Sequence, residues 1–208
     1  MNNTIENIIT FIIPTIGRDS LSIAIQSLLK QTNPNWKCIL VFDGVQIQTE
    51  IDYIGGKYSL LEDTRFTLLR TKKLGNLNLT NLNSRIGGSA GLVRDEALKL
   101  CSTEWVGFLD DDDFLSQTYV ELLYEKYHTY DLVVWRAIWN NGQILPPLGT
   151  NELKRSMVGI HFCYKKSTFP NIFFNHNDGG EDFNFLKKIL NSTNNYIVTN
   201  DIVYNVNG

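Results

Sequence analysis

Short apolar runs alternate along the first half of the chain with segments of helical periodicity. Residues 8–13 and 36–42 are almost uninterrupted apolar runs, a pattern that predicts buried strands. Between them, leucine and isoleucine recur at positions 21, 25, 28 and 29, which predicts a helix with one apolar face. A strand, a helix and a second strand in this order imply a parallel pair with a right-handed crossover.

The same alternation continues up to residue 130. Residues 65–69 and 105–109 are predicted as further strands, and each is followed by a helix that is expected to bury one apolar face. The predicted inward residues are Val93, Ala97, Leu100 and Cys101 in a helix that follows residues 87–91, and Val120, Leu123, Tyr124 and Tyr127 in a helix at 116–127. Residues 46–56 could form a short helix, and the polar, Asn-rich residues 72–83 are predicted as a surface loop. This order predicts an α/β fold with a doubly wound, mainly parallel, Rossmann-like sheet.

The second half of the chain changes character and predicts a smaller, mixed part of the fold. Residues 131–139 and 157–164 are predicted as strands, and residues 143–148, which contain two prolines, as an edge strand or a loop. A helix is expected to begin at Glu181, with short strands at 196–206. Its predicted inward residues are Phe183, Leu186, Ile189 and Leu190. No repeat or linker separates the halves, so the 208 residues are predicted to form one domain.

Composition and charge exclude several classes of protein. Hydrophobic residues make up 43% of the chain and charged residues 20%, which is enough for a sizeable core. The net charge is -3 and Lys and Arg form no run, so no nucleic-acid partner is expected. The first seven residues lack a basic stretch before an apolar core, and no apolar run is long enough for a transmembrane segment.

The three cysteines also carry information about the compartment. Cys38, Cys101 and Cys163 are widely spaced and form no CxxC pair, so neither zinc nor a disulfide framework is expected. Each lies in an apolar segment, which indicates a buried thiol in a reducing, cytoplasmic setting.

Four consecutive carboxylates, at 110–113, follow the predicted strand at 105–109. Ligands of open α/β sheets bind beyond the carboxyl ends of the strands, and hard divalent cations prefer oxygen ligands. Strand side chains alternate between faces, so Asp110 and Asp112 could share one side of the sheet. The alternative is an acidic, solvated turn that also caps the next helix, and both interpretations stay open on this stretch alone.

Four segments, taken in order, resemble the family 2 glycosyltransferases, which have the GT-A fold. Residues 12–18 (IIPTIGR) and 41–44 (VFDG) are similar to the family's opening strand and its second acidic turn. Residues 88–97 (GSAGLVRDEA), followed by FLDDDD at 108–113, resemble its Arg-containing helix and its DxD motif. Gly180-Glu181-Asp182 is similar to its late ED motif. The resemblance implies one GT-A domain, with a nucleotide-sugar-binding half at 1–115 and an acceptor-binding half at 116–208.

What this resemblance implies for the chemistry is a metal site and a base. Asp112 would be the main ligand of Mn²⁺ or Mg²⁺, with Asp110 beside it, in a register uncertain by one residue. Asp182 would be the catalytic general base of an inverting transfer, with Asp178 and Glu181 as competitors. Relatives often carry a metal-binding His near the last strand; this chain has none there, so a third protein ligand is missing or replaced by water.

The resemblance further implies a nucleotide-sugar donor, most simply a UDP-sugar, and a glycan or glycoprotein hydroxyl as acceptor, as for a hexosyl- or N-acetylhexosaminyltransferase. Asp43 would accept a hydrogen bond from the base, Arg94 would face the phosphates, Asp113 the donor sugar, and Asp111 would be a solvated extra carboxylate. The predicted donor-binding set is Pro14, Thr15, Arg18, Asp43, Arg94, Asp110, Asp111, Asp113 and Glu181. Asp95 stands where the family usually has Asn, which leaves the fine detail of the pocket open.

Other interpretations of the same residues compete with this one. The chain could be a catalytically silent nucleotide- or glycan-binding module of the same fold, although three intact acidic positions argue against that. A phosphotransferase or phosphatase would place its Asp pair after an early strand. His161 is expected in the core, whereas His176 could touch a substrate. Trp135 and Trp139 could stack on sugar rings, but aromatic residues in strands are more often in the core, which is the expectation for both.

Overall fold

Nine strands and four helices form the part of the chain that the structure describes. The computed structural model describes residues 7–45, 62–72, 74, 90–174 and 180–207. The strands are β1 Ile9–Thr15, β2 Trp36–Asp43, β3 Phe66–Thr71, β4 Trp105–Phe108, β5 Phe114–Leu115, β6 Leu132–Trp139, β7 Ile144–Leu145, β8 Phe162–Lys165 and β9 Tyr196–Val206. The helices are α1 Leu21–Leu29, α2 Ala90–Leu98, α3 Tyr119–Tyr124 and α4 Glu181–Leu190. The predicted helix at 46–56 lies outside the described residues, as does nearly all of the predicted loop at 72–83.

All of these strands belong to one mixed sheet. Its order is β3-β2-β1-β4-β8-β6-β9-β5, and β7 pairs with β6 outside this path. The first four strands of that order run parallel, and β6 and β9 form a second parallel pair. The intervening β8 is antiparallel to both of its neighbours. Because β1, β2 and β4 are parallel and adjacent, the residues that follow them meet at one edge, as the α/β prediction requires.

The first half follows its predicted elements closely. Leu21, Ile25 and Leu28 of α1 are buried on one face, as the periodicity indicated. β1 runs two residues further than predicted, through Pro14 to Thr15. Pro14 is tolerated in this central strand because β4 has already ended there, so its missing N–H removes no bond of the sheet.

The helix predicted at 116–127 is wrong in its length and in one of its four inward residues, whereas Val120 and Leu123 are buried as predicted. α3 has six residues, and Tyr124, expected inside, is 47% exposed. The segment before it forms β5, and the Ser116 amide donates to the carbonyl of Val203 in β9. This pairing with a strand about 90 residues away is invisible to local periodicity. Leu100 was also wrongly placed inward: α2 ends at Leu98, and Leu100 is 51% exposed.

Two further predictions in the second half need correction. The strand predicted at 157–164 is only Phe162–Lys165. In α4, Leu186 and Ile189 are fully buried as predicted and Leu190 is partly buried, but Phe185 is the buried aromatic residue, whereas Phe183 is only partly buried. Phe185 packs face to face with Phe174, with ring centroids 4.2 Å apart, and this contact selects the inward face of α4. The three cysteines are buried and free, as predicted. None of the described helices has the length and apolar character needed to cross a membrane.

Candidate functional site

The acidic and basic residues singled out by the sequence gather at the carboxyl edge of the parallel strands. Thr15 ends β1, Asp43 ends β2, and the loop 110–113, here called the aspartate loop, follows β4. α4 brings Glu181 and Asp182 to the same place, here called the acidic start of α4. Strand ends from three parts of the chain and one helix start therefore surround a single site.

The four aspartates of the loop divide into two groups. Asp111 turns towards β1, where its carboxylate accepts a 2.7 Å hydrogen bond from the Thr15 hydroxyl and lies 3.3 Å from Arg18. It is only 5% exposed, so the expectation of a solvated extra carboxylate is wrong. Burial, with Asp112 and Asp110 nearby, raises the pKa of Asp111 against the opposing Thr15 and Arg18 contacts. Asp111 therefore anchors the loop to β1.

The other three aspartates face one another. One carboxylate oxygen from each of Asp110, Asp112 and Asp113 lies within 4.8 Å of the others. The side chains of Asp110 and Asp112 are 37% and 34% exposed, whereas Asp113 is 5% exposed. Burial raises the pKa of Asp113 to about 6, and the charges of the other two aspartates add to that rise. Like charges brought this close fit a hard divalent cation, whose preferred ligands are carboxylate oxygens.

Arg94 connects the aspartate loop to the acidic start of α4. Its Nη2 donates to Asp110 at 2.6 Å, its Nη1 donates to Asp182 at 2.9 Å, and Nη1 lies 3.5 Å from Glu181. Arg94 is 2% exposed, and while burial alone would lower its pKa, the three carboxylates more than offset this and raise the pKa. The guanidinium offers several N–H donors in a rigid, planar fork, so it can bond Asp110 and Asp182 at the same time.

The two carboxylates of α4 differ in access. Glu181 is 8% exposed and accepts a hydrogen bond of 3.1 Å from the Gly91 amide of α2. Burial raises the pKa of Glu181 to about 7, against the attraction of Arg94. The Asp182 side chain is 31% exposed, and burial likewise raises its pKa while Arg94 opposes the rise. Of the two, Asp182 has the better access to a substrate hydroxyl.

α2 and α4 approach each other closely because Gly91 has no side chain. A Cβ at Gly91 would lie 2.7 Å from Glu181 Oε2 and 2.7 Å from the Cβ of Phe174. Next to it, Asp95 accepts a 3.0 Å hydrogen bond from the Phe174 amide. Glycine at 91 thus lets the two helices meet, and the carboxylate at 95 fixes the segment that leads to α4.

Asp43 lies on the other flank of the site. It is 5% exposed, and its Oδ1 accepts hydrogen bonds of 2.6 Å from both the Thr71 hydroxyl and the Leu74 amide. Pro14 and Thr15 lie beside it, because the end of β1 pairs with the end of β2. The Asp43 carboxylate and the end of β1 therefore lie side by side at the carboxyl edge of the sheet.

Comparisons with known proteins relate this arrangement to glycosyltransferases. Over 107 residues the chain is 30% identical to WcaA of Escherichia coli K12, which is provisionally named a colanic acid biosynthesis glycosyl transferase. That match covers 51% of this chain and 33% of WcaA. No protein-family model matches the chain.

Solved structures superpose on nearly the whole chain. S. aureus TarS 1–349 gives a TM-score of 0.72 at 20% identity, and the same fragment in complex with UDP-GlcNAc gives 0.76 at 18%. Each match covers 96% of this chain, and 60% and 58% of TarS 1–349, respectively. The mannosyltransferase PcManGT from Pyrobaculum calidifontis, in complex with GDP-Man and Mn²⁺, gives 0.67 at 13%, covering 98% of this chain and 58% of PcManGT.

The chain has a GT-A glycosyltransferase fold. The predicted resemblance and fold class are therefore confirmed. The chain spans about a third of WcaA and less than two thirds of the TarS fragment or PcManGT. The two acidic segments that carried the resemblance lie at the same edge of the sheet, the aspartate loop after β4 and Glu181-Asp182 at the start of α4.

The roles assigned to single residues stay predictions, but the structure shows which residues come together. Arg18, predicted to bind the donor, donates to Asp112 at 2.6 Å and is half-exposed. Arg94, predicted to face phosphate, is instead enclosed by carboxylates. Asp178 and His176 lie outside the described residues. Trp139, expected in the core, is instead 40% exposed at the end of β6.

Sequence reasoning missed three groups that shape the GT-A site. The Tyr204 hydroxyl accepts a 3.2 Å hydrogen bond from the Asp110 amide, and the Asn207 amide donates to Asp113 at 2.9 Å. Gly91, quoted only as part of a motif, sets the approach of α2 to α4. Val203 and Tyr204 are both buried, so β9 has no alternation that could have marked Tyr204 as inward, and nothing local indicates which loop its hydroxyl reaches. His161 and Trp135 are buried in the core, as predicted.

Proposed function

We propose that this GT-A domain transfers a sugar from a nucleotide-sugar, with a UDP-sugar as the first candidate, to a hydroxyl group of a glycan or protein. The transfer would invert the anomeric carbon. Asp110 and Asp112 would hold Mn²⁺ or Mg²⁺, and Asp182 would be the general base. The observation that carries the proposal is the Arg94 guanidinium, which bonds the aspartate loop and the acidic start of α4 at once.

This bridge supports the proposal because transfer requires two acidic groups in a fixed relation. One set of carboxylates must hold the cation beside the donor diphosphate, and another carboxylate must reach the acceptor hydroxyl. Asp110 and Asp182 lie 2.6 and 2.9 Å from nitrogen atoms of the same side chain. The spacing between the donor side and the acceptor side is therefore set by Arg94.

The donor assignment rests on Asp43 and on the neighbours. A carboxylate at the end of β2 can accept a hydrogen bond from the imide N–H of uracil, with backbone at Pro14 and Thr15 along the base. TarS 1–349 was solved in complex with UDP and with UDP-GlcNAc, and PcManGT in complex with GDP-Man and Mn²⁺. The UDP complexes give TM-scores of 0.74 and 0.76, against 0.67 for the GDP-Man complex, which puts UDP first in a screen.

The proposed transfer moves one proton and exchanges one bond at the anomeric carbon. Asp182 accepts the proton of the acceptor hydroxyl, whose oxygen forms the new bond to the anomeric carbon as the bond from that carbon to the β-phosphate oxygen breaks. The electron pair leaves with the nucleoside diphosphate. Arg94 opposes protonation of Asp182 and so holds it ready as a base. When bound, a divalent cation supplies Lewis-acid stabilisation of the departing diphosphate.

A turnover assay tests the proposal. The chain, Mn²⁺ and UDP-GlcNAc are incubated with a mixture of glycan acceptors, and release of UDP is measured. A parallel reaction contains GDP-Man in place of UDP-GlcNAc, and release of GDP is measured. We expect UDP release that requires Mn²⁺ and is lost in Asp112→Asn. Metal-independent release, or equal release by Asp112→Asn, would contradict the assignment of the aspartate loop.

A further inference from the structure

The end of β9 reaches back to the aspartate loop through two contacts that the proposed chemistry has not used. Tyr204 is 1% exposed, and its hydroxyl accepts the 3.2 Å hydrogen bond from the Asp110 amide. The same hydroxyl also interacts with the Asp113 carboxylate. Three residues on, the Asn207 amide donates to Asp113 Oδ1 at 2.9 Å. β9 therefore contacts both ends of the loop.

These contacts stabilise the tight turn that the aspartate loop forms. The Asp113 amide donates to the Asp110 carbonyl at 3.2 Å, so the loop closes on itself between its first and last aspartate. A phenol can accept one hydrogen bond and donate another, and Tyr204 can thus fix Asp110 and Asp113 relative to each other. Without such partners, a carboxylate as buried as Asp113 beside two others would be costly to keep in place.

Asp111 provides the contrast within the same loop. It has the same 5% exposure as Asp113, yet it turns away to Thr15 and Arg18 and does not belong to the cluster of facing carboxylates. Burial and negative charge are therefore matched at the two positions. What differs is the side of the loop that each carboxylate occupies, and β9 holds Asp113 on the side of Asp110 and Asp112.

Resting on the function proposed above, we propose that Asp113 is a third protein ligand of the divalent cation and that Tyr204 is the residue that positions it. Asp113 then completes an all-carboxylate site with Asp110 and Asp112, whose oxygen atoms lie within 4.8 Å of one another. Tyr204 touches no substrate in this assignment. It acts through the geometry of the loop, as residues behind metal ligands commonly do.

The test is a titration of Mn²⁺ into the protein with UDP present, in which electron paramagnetic resonance measures free Mn²⁺. We expect Asp113→Asn to weaken Mn²⁺ binding roughly 100-fold and Tyr204→Phe by roughly 10- to 100-fold. Asp111→Asn sets the scale for the loss of one negative charge from the loop, and its effect should be clearly smaller. Tyr119→Phe, which removes another buried tyrosine hydroxyl on α3, is the matched control for the phenol.

The outcomes separate this inference from the proposed function. If the unaltered protein binds UDP and Mn²⁺ while Asp113→Asn weakens Mn²⁺ no more than Asp111→Asn, the third-ligand inference is overturned and the proposed function stands. If Asp113→Asn binds Mn²⁺ weakly but Tyr204→Phe binds Mn²⁺ as tightly as Tyr119→Phe does, the positioning role is overturned. If the folded, unaltered protein binds no UDP with Mn²⁺, both the proposed function and this inference are contradicted. Near-ultraviolet circular dichroism checks that each variant is folded.

Discussion

The aspartate loop and the acidic start of α4 are both rich in carboxylates, yet they balance their charge in different ways. In the loop, four carboxylates have only half-exposed Arg18 and one side of Arg94 as cationic partners among the described residues. At the start of α4, Glu181 and Asp182 share the buried Arg94 guanidinium. The first arrangement keeps most of its negative charge, which suits an external cation, whereas in the second Arg94 opposes the protonation of Asp182 that burial favours.

The largest expected difference between the two regions, in transfer against UDP binding, is that caused by Asp182→Asn. This change removes the base but leaves the aspartate loop intact, so transfer should fall by roughly 10²- to 10⁴-fold while UDP binds as before. Single-turnover transfer and a UDP titration measure the two effects separately. Asp131→Asn, directly before the start of β6, is the control and should leave both transfer and UDP binding unchanged. Normal transfer by Asp182→Asn would move the base role to another carboxylate.

Removing the link between the regions should be almost as costly. Arg94→Met leaves Asp110, Glu181 and Asp182 without their shared cation, and losing one partner of a buried ion pair costs about 3–5 kcal/mol of stability. Urea denaturation at neutral pH measures this as a lower free energy of unfolding. The deficit should shrink at low pH, where the carboxylates are neutral. A stability equal to that of the unaltered protein at neutral pH would show that the bridge is not a structural element.

The charge of Glu181 gives a pH-dependent test of the same region. The pKa of Glu181 is raised by burial from 4.5 to about 7, so the folded protein holds this proton more tightly than the unfolded chain does. Its contribution to stability is therefore complete below about pH 4.5 and is lost as the pH rises through about 7. Glu181→Gln should be more stable than the unaltered protein at pH 8 by on the order of 3 kcal/mol and no more stable at pH 4. A difference that does not change with pH would contradict this account.

The smallest predicted effect concerns the close approach of α2 to α4. In Gly91→Ala, the new methyl group would crowd Glu181 and Phe174, which should cost about 1–3 kcal/mol of stability by overpacking. Gly159→Ala is the matched control, because its Cβ would meet only His161, at 3.9 Å. Thermal unfolding of both variants makes the comparison. If the two alanine variants unfold alike, the glycine at 91 does not set the spacing of the helices.

These predictions draw on features that the sequence revealed to different degrees. The parallel half was predictable because strands such as β1 and β2 are buried on both faces and appear as continuous apolar runs. β5 and the short α3 were not predictable, since Phe114 and Leu115 are drawn into pairing with β9 by contacts between distant parts of the chain. Local periodicity carries no signal for such pairing.

The candidate site likewise has features that were predictable from the sequence and features that depend on tertiary contacts. The aspartate run and the Glu181-Asp182 pair were predictable as chemistry, because motif order places them at a strand end and a helix start. The different contacts of the four aspartates in the loop were not predictable. All four residues are identical in type, and only tertiary contacts distinguish Asp111 from Asp113. The enclosure of Arg94 by carboxylates also depends on the packing of α4 against α2, which the sequence alone does not reveal.

The central claim is that the aspartate loop holds a divalent cation on which donor binding depends. Calorimetric titration of UDP into the protein, once with Mn²⁺ and once with EDTA, tests it most directly, with Asp112→Asn measured alongside. The account predicts binding with Mn²⁺ that disappears with EDTA and is lost in Asp112→Asn. Equal binding with Mn²⁺ and with EDTA, or no binding by the folded protein under either condition, would contradict it.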